Sequence, residues 1–101
     1  MPTLLPLPSP EALDSLLRRF HVRSLSLFGS AARGEDRPDS DVDLLVDFDA
    51  SARLTYLDLV DLATQLKPLF GGREVDLGQS KQLHWAIRDQ VLREARLLYA
   101  R

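Results

Sequence analysis

The sequence predicts a small α/β domain built around one sheet. Three observations carry that expectation. The chain has 101 residues, the size of a single domain. Two segments, Ser24 to Phe28 and Asp41 to Phe48, alternate apolar and polar residues in the manner of strands. They interleave with segments of helical period, separated by stretches rich in turn residues.

Met1 to Pro8 carries Pro2, Pro6 and Pro8 and no clear period, which predicts a flexible N-terminal arm ahead of one domain over residues 9–101. Ser9, Pro10 and Glu11 then read as a helix start. Ser9 can cap, proline suits the first turn, and an acid favours the positive helix end. Leu13, Leu16, Leu17 and Phe20 follow at helical spacing. The first strand is expected over Ser24 to Phe28 and stops at Gly29-Ser30, after which Ala31, Ala32 and Arg33 can form a helical turn.

Gly34 to Ser40, GEDRPDS, is turn chemistry throughout and predicts a solvated loop. In the second strand, Asp41 to Phe48, one face carries Val42, Leu44, Val46 and Phe48. The other carries Asp41, Asp43, Leu45 and Asp47. A helix is expected over Leu54 to Leu69, closed by Pro68 and Gly71-Gly72. Arg73 to Leu77 reads as a short strand. Leu83 to Tyr99 reads as a long final helix, with Ile87, Val91, Ala95, Leu98 and Tyr99 along one stripe.

Composition narrows the function classes. Formal net charge is -2, from 13 basic and 15 acidic residues. The basic residues are interspersed, so a dedicated nucleic-acid surface is not expected. With no cysteine there is no disulfide framework, thiolate zinc site or cysteine nucleophile. No apolar run reaches membrane-spanning length, and the N-terminus lacks the basic start of a signal peptide, so a cytoplasmic location without membrane partners is expected.

The chemistry concentrates in Gly29 to Phe48. Asp41 and Asp43, two apart on a predicted strand, project from one face with Cα atoms about 6–7 Å apart. Two carboxylates aimed one way repel unless a cation lies between them. Hard oxygen ligands select Mg²⁺, with Mn²⁺ as the alternative. Gly29 lets a phosphate approach the backbone, and Ser30 adds a hydroxyl donor at the start of a helical turn. One loop thus offers phosphate donors and one strand offers metal ligands.

The string resembles the signature of the DNA polymerase β-like nucleotidyltransferase superfamily. It is similar above all to the minimal nucleotidyltransferase (MNT) group, written G-S-x-A-R-G followed by S-D-x-D-L. The matching residues are Gly29, Ser30, Ala32, Arg33, Gly34, Ser40, Asp41, Asp43 and Leu44. The resemblance implies a small mixed sheet with helices packed on one face. It also implies a third carboxylate from a later strand. Glu74 and Asp76 share a face and spacing does not separate them, but the family order of apolar residue, Asp, Leu favours Asp76.

By the same resemblance, Asp41, Asp43 and Asp76 are the catalytic and metal-holding residues, two Mg²⁺ ions serve them, and ATP is the nucleoside triphosphate substrate. Gly29 and Ser30 position the triphosphate. Arg33 either joins them or pairs with Glu35 or Asp36. The implied role is that of the antitoxin of a toxin–antitoxin pair, transferring AMP to a hydroxyl of a HEPN-domain toxin. Two other readings stand beside it: a binding antitoxin acting by occlusion, and a small-molecule nucleotidyltransferase working as a homo-oligomer. Asp47, His21, His84, Trp85 and Tyr99 are read as surface, structural or packing residues.

Overall fold

The computed structural model describes residues 7–79 and 85–101. Its elements run α1 (Pro10–Arg19), β1 (Val22–Phe28), α2 (Gly29–Arg33), β2 (Val42–Phe48), α3 (Tyr56–Leu66), β3 (Val75–Gln79), α4 (Trp85–Glu94) and β4 (Arg96–Ala100). A 3-10 turn, Lys67–Phe70, follows α3. The four strands form one sheet in the order β3-β2-β1-β4. β1 pairs antiparallel with both β2 and β4, whereas β2 and β3 run parallel. The α/β fold with a mixed sheet is the one expected.

The first helix forms as its sequence directs. Ser9 Oγ accepts the Ala12 N–H at 3.2 Å, and Pro10 stands in the first turn. Leu13, Leu16 and Leu17 are buried against the sheet. β1 contributes Val22, Leu25 and Leu27 to that core, β2 contributes Val42, Leu44 and Val46, and α3 contributes Leu62 and Leu66. α1 and α3 therefore cover one face of the sheet. The acidic residues of β2 point to the other.

α3 starts on a reciprocal cap. The Thr55 hydroxyl accepts the Asp58 N–H at 3.3 Å, and the Asp58 carboxylate accepts the Thr55 N–H at 2.8 Å. Thr55→Ala should cost about 1 kcal/mol, lowering the melting temperature by roughly 4–8 °C. Thermal unfolding with unchanged far-ultraviolet dichroism at 20 °C checks this.

The chain's C-terminal part differs from the expectation. The helix that the apolar stripe extends to Tyr99 ends at Glu94 instead, its final bond running from Ala95 N–H to the Val91 carbonyl. Residues 96–100 form a strand along the free edge of β1. A register shift opposite Leu25 and Ser26 separates Leu97, 66% exposed, from Tyr99, 6% exposed, and the Tyr99 hydroxyl donates to Asp14 on α1 at 2.9 Å. The edge of β1 offers a row of backbone partners that no local pattern announces, and pairing with it outweighs one more helical turn. The expected helix start at Leu83 lies outside the described residues, as do residues 1–6 of the expected arm.

Smaller shifts have local causes. β1 begins at Val22, two residues earlier than expected, just after the left-handed His21. β2 begins at Val42, leaving Asp41 as the last loop residue. Pro68 converts the end of the second expected helix into the 3-10 turn. β3 spans Val75–Gln79 rather than Arg73 to Leu77. Among the described residues, no helix is long and apolar enough to cross a membrane.

Candidate active site

The parallel pairing of β2 and β3 sets Asp43 in register with Asp76. On its other side Asp43 faces Phe28, the last residue of β1. Backbones of neighbouring strands lie about 4.8 Å apart, so the two carboxylates stand side by side on the face away from the helices. Asp41 precedes β2 by one residue and projects beside them. Asp43 is partly buried, while Asp41 and Asp76 are exposed.

Electrostatics tie the three together. The Asp43 carboxyl is held above the ordinary aspartate range, first by burial, then by the neighbouring charges of Asp76 and Asp41. The Arg33 guanidinium acts in the opposite direction. Among the described residues no three acidic or imidazole side chains stand in a ready-made metal cage. The donor set nevertheless fits a divalent cation. It consists of hard carboxylate oxygens whose mutual repulsion raises the proton affinity of the middle one, and a cation would relieve that repulsion.

Gly29 packs directly against this carboxylate. A Cβ built at Gly29 would lie 2.5 Å from Asp43 Oδ2, and the residue has φ +71°. Both facts demand glycine at the junction of β1 and α2. Ser30 follows in the same short helix, and its carbonyl accepts the Glu35 N–H at 2.9 Å to close the turn. Arg33 ends that helix. It pairs with Glu35 at 3.3 Å, as weighed from the sequence, and with Glu94 of α4 at 3.5 Å. The Asp36 carboxylate meets Arg73 at 2.9 Å.

A model of the polymerase β nucleotidyltransferase family matches residues 11–101. The chain belongs to that family. This nucleotidyltransferase domain is 46% identical over 79 residues to the protein adenylyltransferase MntA of Thermococcus cleftensis, covering 78% of the chain and 77% of the relative. A solved structure described as a minimal nucleotidyltransferase shares 45% identity with a TM-score of 0.68, covering 85% of each chain. A chain in a toxin–antitoxin crystal structure with AMP-PNP superposes with a TM-score of 0.69 at 23% identity, over 91% of this chain and 73% of that one. The last likeness is one of fold. The enzyme class read from the sequence, a nucleotidyltransferase, is the class to which the family belongs.

The structure thus brings Gly29, Asp41, Asp43 and Asp76 to one place, with Ser30 and Arg33 on the adjoining turn. Glu74, the competitor of Asp76, is engaged elsewhere, its carboxylate with Lys67 and its carbonyl with the Val42 N–H. Asp47 accepts from the Ser24 hydroxyl at 3.2 Å, a strand-surface contact. Tyr99 packs in the core, on a strand instead of the expected helix. The loop Gly34 to Ser40, expected to be merely solvated, is instead gripped by Arg73. Sequence reading passed over Arg73. Its only local signal was Ser40, which appears in the motif without a chemical role of its own.

Proposed function

We propose that this domain transfers AMP from ATP to a hydroxyl of a partner protein, a HEPN-domain toxin, and serves as its antitoxin. The observation that carries the reading is the register of Asp43 with Asp76, beside Asp41 and over Gly29. The names of the relatives support adenylyl transfer as the reaction.

Asp41, Asp43 and Asp76 would hold Mg²⁺, or Mn²⁺ in its place. Bound there, the cations supply charge neutralisation for the triphosphate and for the oxygen atoms that attack and leave. Gly29 leaves room for phosphate beside the backbone, and the Ser30 hydroxyl donates to it. Arg33 adds a positive charge at the same edge. Asp76, exposed to an incoming acceptor, takes the proton of the acceptor hydroxyl. The acceptor oxygen bonds to the α-phosphorus, the bond to the bridging oxygen of the β-phosphate breaks, and pyrophosphate leaves.

An acceptor supplied by a partner agrees with the surface of the domain. Tyr56 and Leu57 on α3 and Leu97 on β4 are 77%, 75% and 66% exposed. The test uses α-labelled ATP, Mg²⁺ and a co-expressed HEPN-domain partner. Label should move to the partner, and Asp41→Asn should abolish the transfer. Neutralisation of the partner that survives Asp41→Asn would mean occlusion instead. Labelled small-molecule product formed without the partner would identify the third reading.

A further inference from the structure

Asp41 lies outside the strand ladder, in the residue between Ser40 and the first residue of β2. A metal ligand at the end of a seven-residue turn sequence needs something to fix it, because loop backbone left to itself samples many positions. The fixing group is Arg73. Its Nε donates to the Ser40 carbonyl at 2.9 Å and its Nη2 to the Ser40 hydroxyl at 3.0 Å. Its Nη1 bonds Asp36 at 2.9 Å. The side chains of Arg73 and Asp36 are only 11% and 5% exposed. That burial, with its guanidinium nitrogens bonded to Ser40 and Asp36, commits Arg73 to the loop.

Ser40 is saturated by the same arrangement. Its hydroxyl donates to the Arg37 carbonyl at 2.7 Å and accepts from the Arg37 N–H at 2.9 Å as well as from Arg73. A hydroxyl has one proton to give and two lone pairs, and all three are in use. On the far side of Asp41, the Val42 N–H donates to the Glu74 carbonyl at 2.8 Å. Asp41 is therefore held from both sides by consecutive residues, 73 and 74. Asp76 rides on the same segment, three positions after Arg73.

We infer that Arg73, with Asp36 and Ser40 as its partners, is the positioning residue that sets Asp41 relative to Asp76. The inference rests on the reading of these aspartates as metal ligands. Arginine suits the task because its planar fork grips the carbonyl and hydroxyl of one residue while a third nitrogen reaches a carboxylate. Lysine keeps the charge and cannot form that fork.

The test compares wild type, Arg73→Lys, Ser40→Ala and Asp43→Asn. Mn²⁺ binding is measured by electron paramagnetic resonance with AMP-PNP present, and amide hydrogen exchange is followed over residues 35–42. Arg73→Lys should weaken Mn²⁺ binding about 10–100-fold, the range for partners that orient metal ligands. It should also speed exchange in the loop while amides of β1 stay protected. Ser40→Ala should move both readouts the same way by less, since the bond to the Ser40 carbonyl remains.

Wild-type Mn²⁺ affinity in folded Arg73→Lys would overturn the assignment. If Arg73→Lys fails to fold, Ser40→Ala decides, and unchanged affinity there overturns it equally. Binding that Asp43→Asn leaves intact would show that the carboxylates are not the metal site. The positioning role would then fall together with that reading, whatever the loop does.

Discussion

Asp43→Asn is expected to lower nucleotidyl transfer about a thousandfold, the equivalent of several kcal/mol of lost charge stabilisation. The same substitution should stabilise the metal-free protein. Burial and then the charges of Asp76 and Asp41 push the Asp43 carboxyl upward. A folded-state value above the unfolded one means that the folded chain holds the proton more tightly. Stability from this group is therefore full below the ordinary aspartate range and is lost as pH rises through the raised value.

Once ionised, the carboxylate opposes folding, and asparagine removes that opposition. Thermal unfolding in EDTA should give Asp43→Asn a melting temperature a few degrees above wild type at pH 7, with the gap closing toward about pH 4. Mg²⁺ with nucleotide should raise the wild type and leave the variant nearly unmoved. A variant less stable than wild type at pH 7 without metal would contradict the account of Asp43. The opposite signs of the two effects separate an electrostatic cost maintained for chemistry from ordinary structural damage.

Gly29→Ala carries the second large effect. Alanine at φ +71° is strained by about 1–2 kcal/mol, and its methyl would meet Asp43 Oδ2 at 2.5 Å. The carboxylate must move, and a ligand displaced by about 1 Å costs on the order of 100-fold in rate. Both losses are expected: a melting temperature lower by roughly 4–8 °C per kcal/mol, and transfer reduced by about two orders of magnitude. Gly71→Ala is the control. Gly71 has φ +72° and nothing within 4 Å of its added methyl, so it shares the strain and lacks the collision. It should lose stability and keep its rate. Equal rate loss in both variants would show that backbone strain, and not the contact with Asp43, is what matters at Gly29.

What the sequence made legible was local. Ser9 caps α1 because serine before proline and glutamate has few other uses there. Gly29-Ser30 and the alternation around Asp43 sit on contiguous elements, so a strand, a turn and a second strand could be read from periodicity and turn chemistry alone. Thr55 and Asp58 carried the spacing of a reciprocal cap, a signal present in the sequence that would have placed the start of α3.

What stayed hidden depends on partners distant in sequence. Arg73 and Asp36 are 37 residues apart, and no periodicity links them. The strand β4 exists because β1 has an open edge, which is a property of the sheet and not of residues 96–100. Alternation could not separate Asp76 from Glu74, since the two acids share a face; only the family order favoured Asp76, and the register that sets it beside Asp43 belongs to the pairing of β3 on β2.

That parallel register has one more consequence. Asp43 and Asp76 are far apart along the chain, joined only by the long connection through α3, yet they are neighbours in the sheet. Anything bound between them acts as a removable cross-link that closes this whole connection into a loop. In the unfolded chain the two acids seldom meet, so occupancy draws only on the folded form and shifts the folding equilibrium by mass action. With Mg²⁺ and ATP as the proposed ligands, the lifetime of this small domain would then follow their supply, and an idle copy would be the one exposed to degradation.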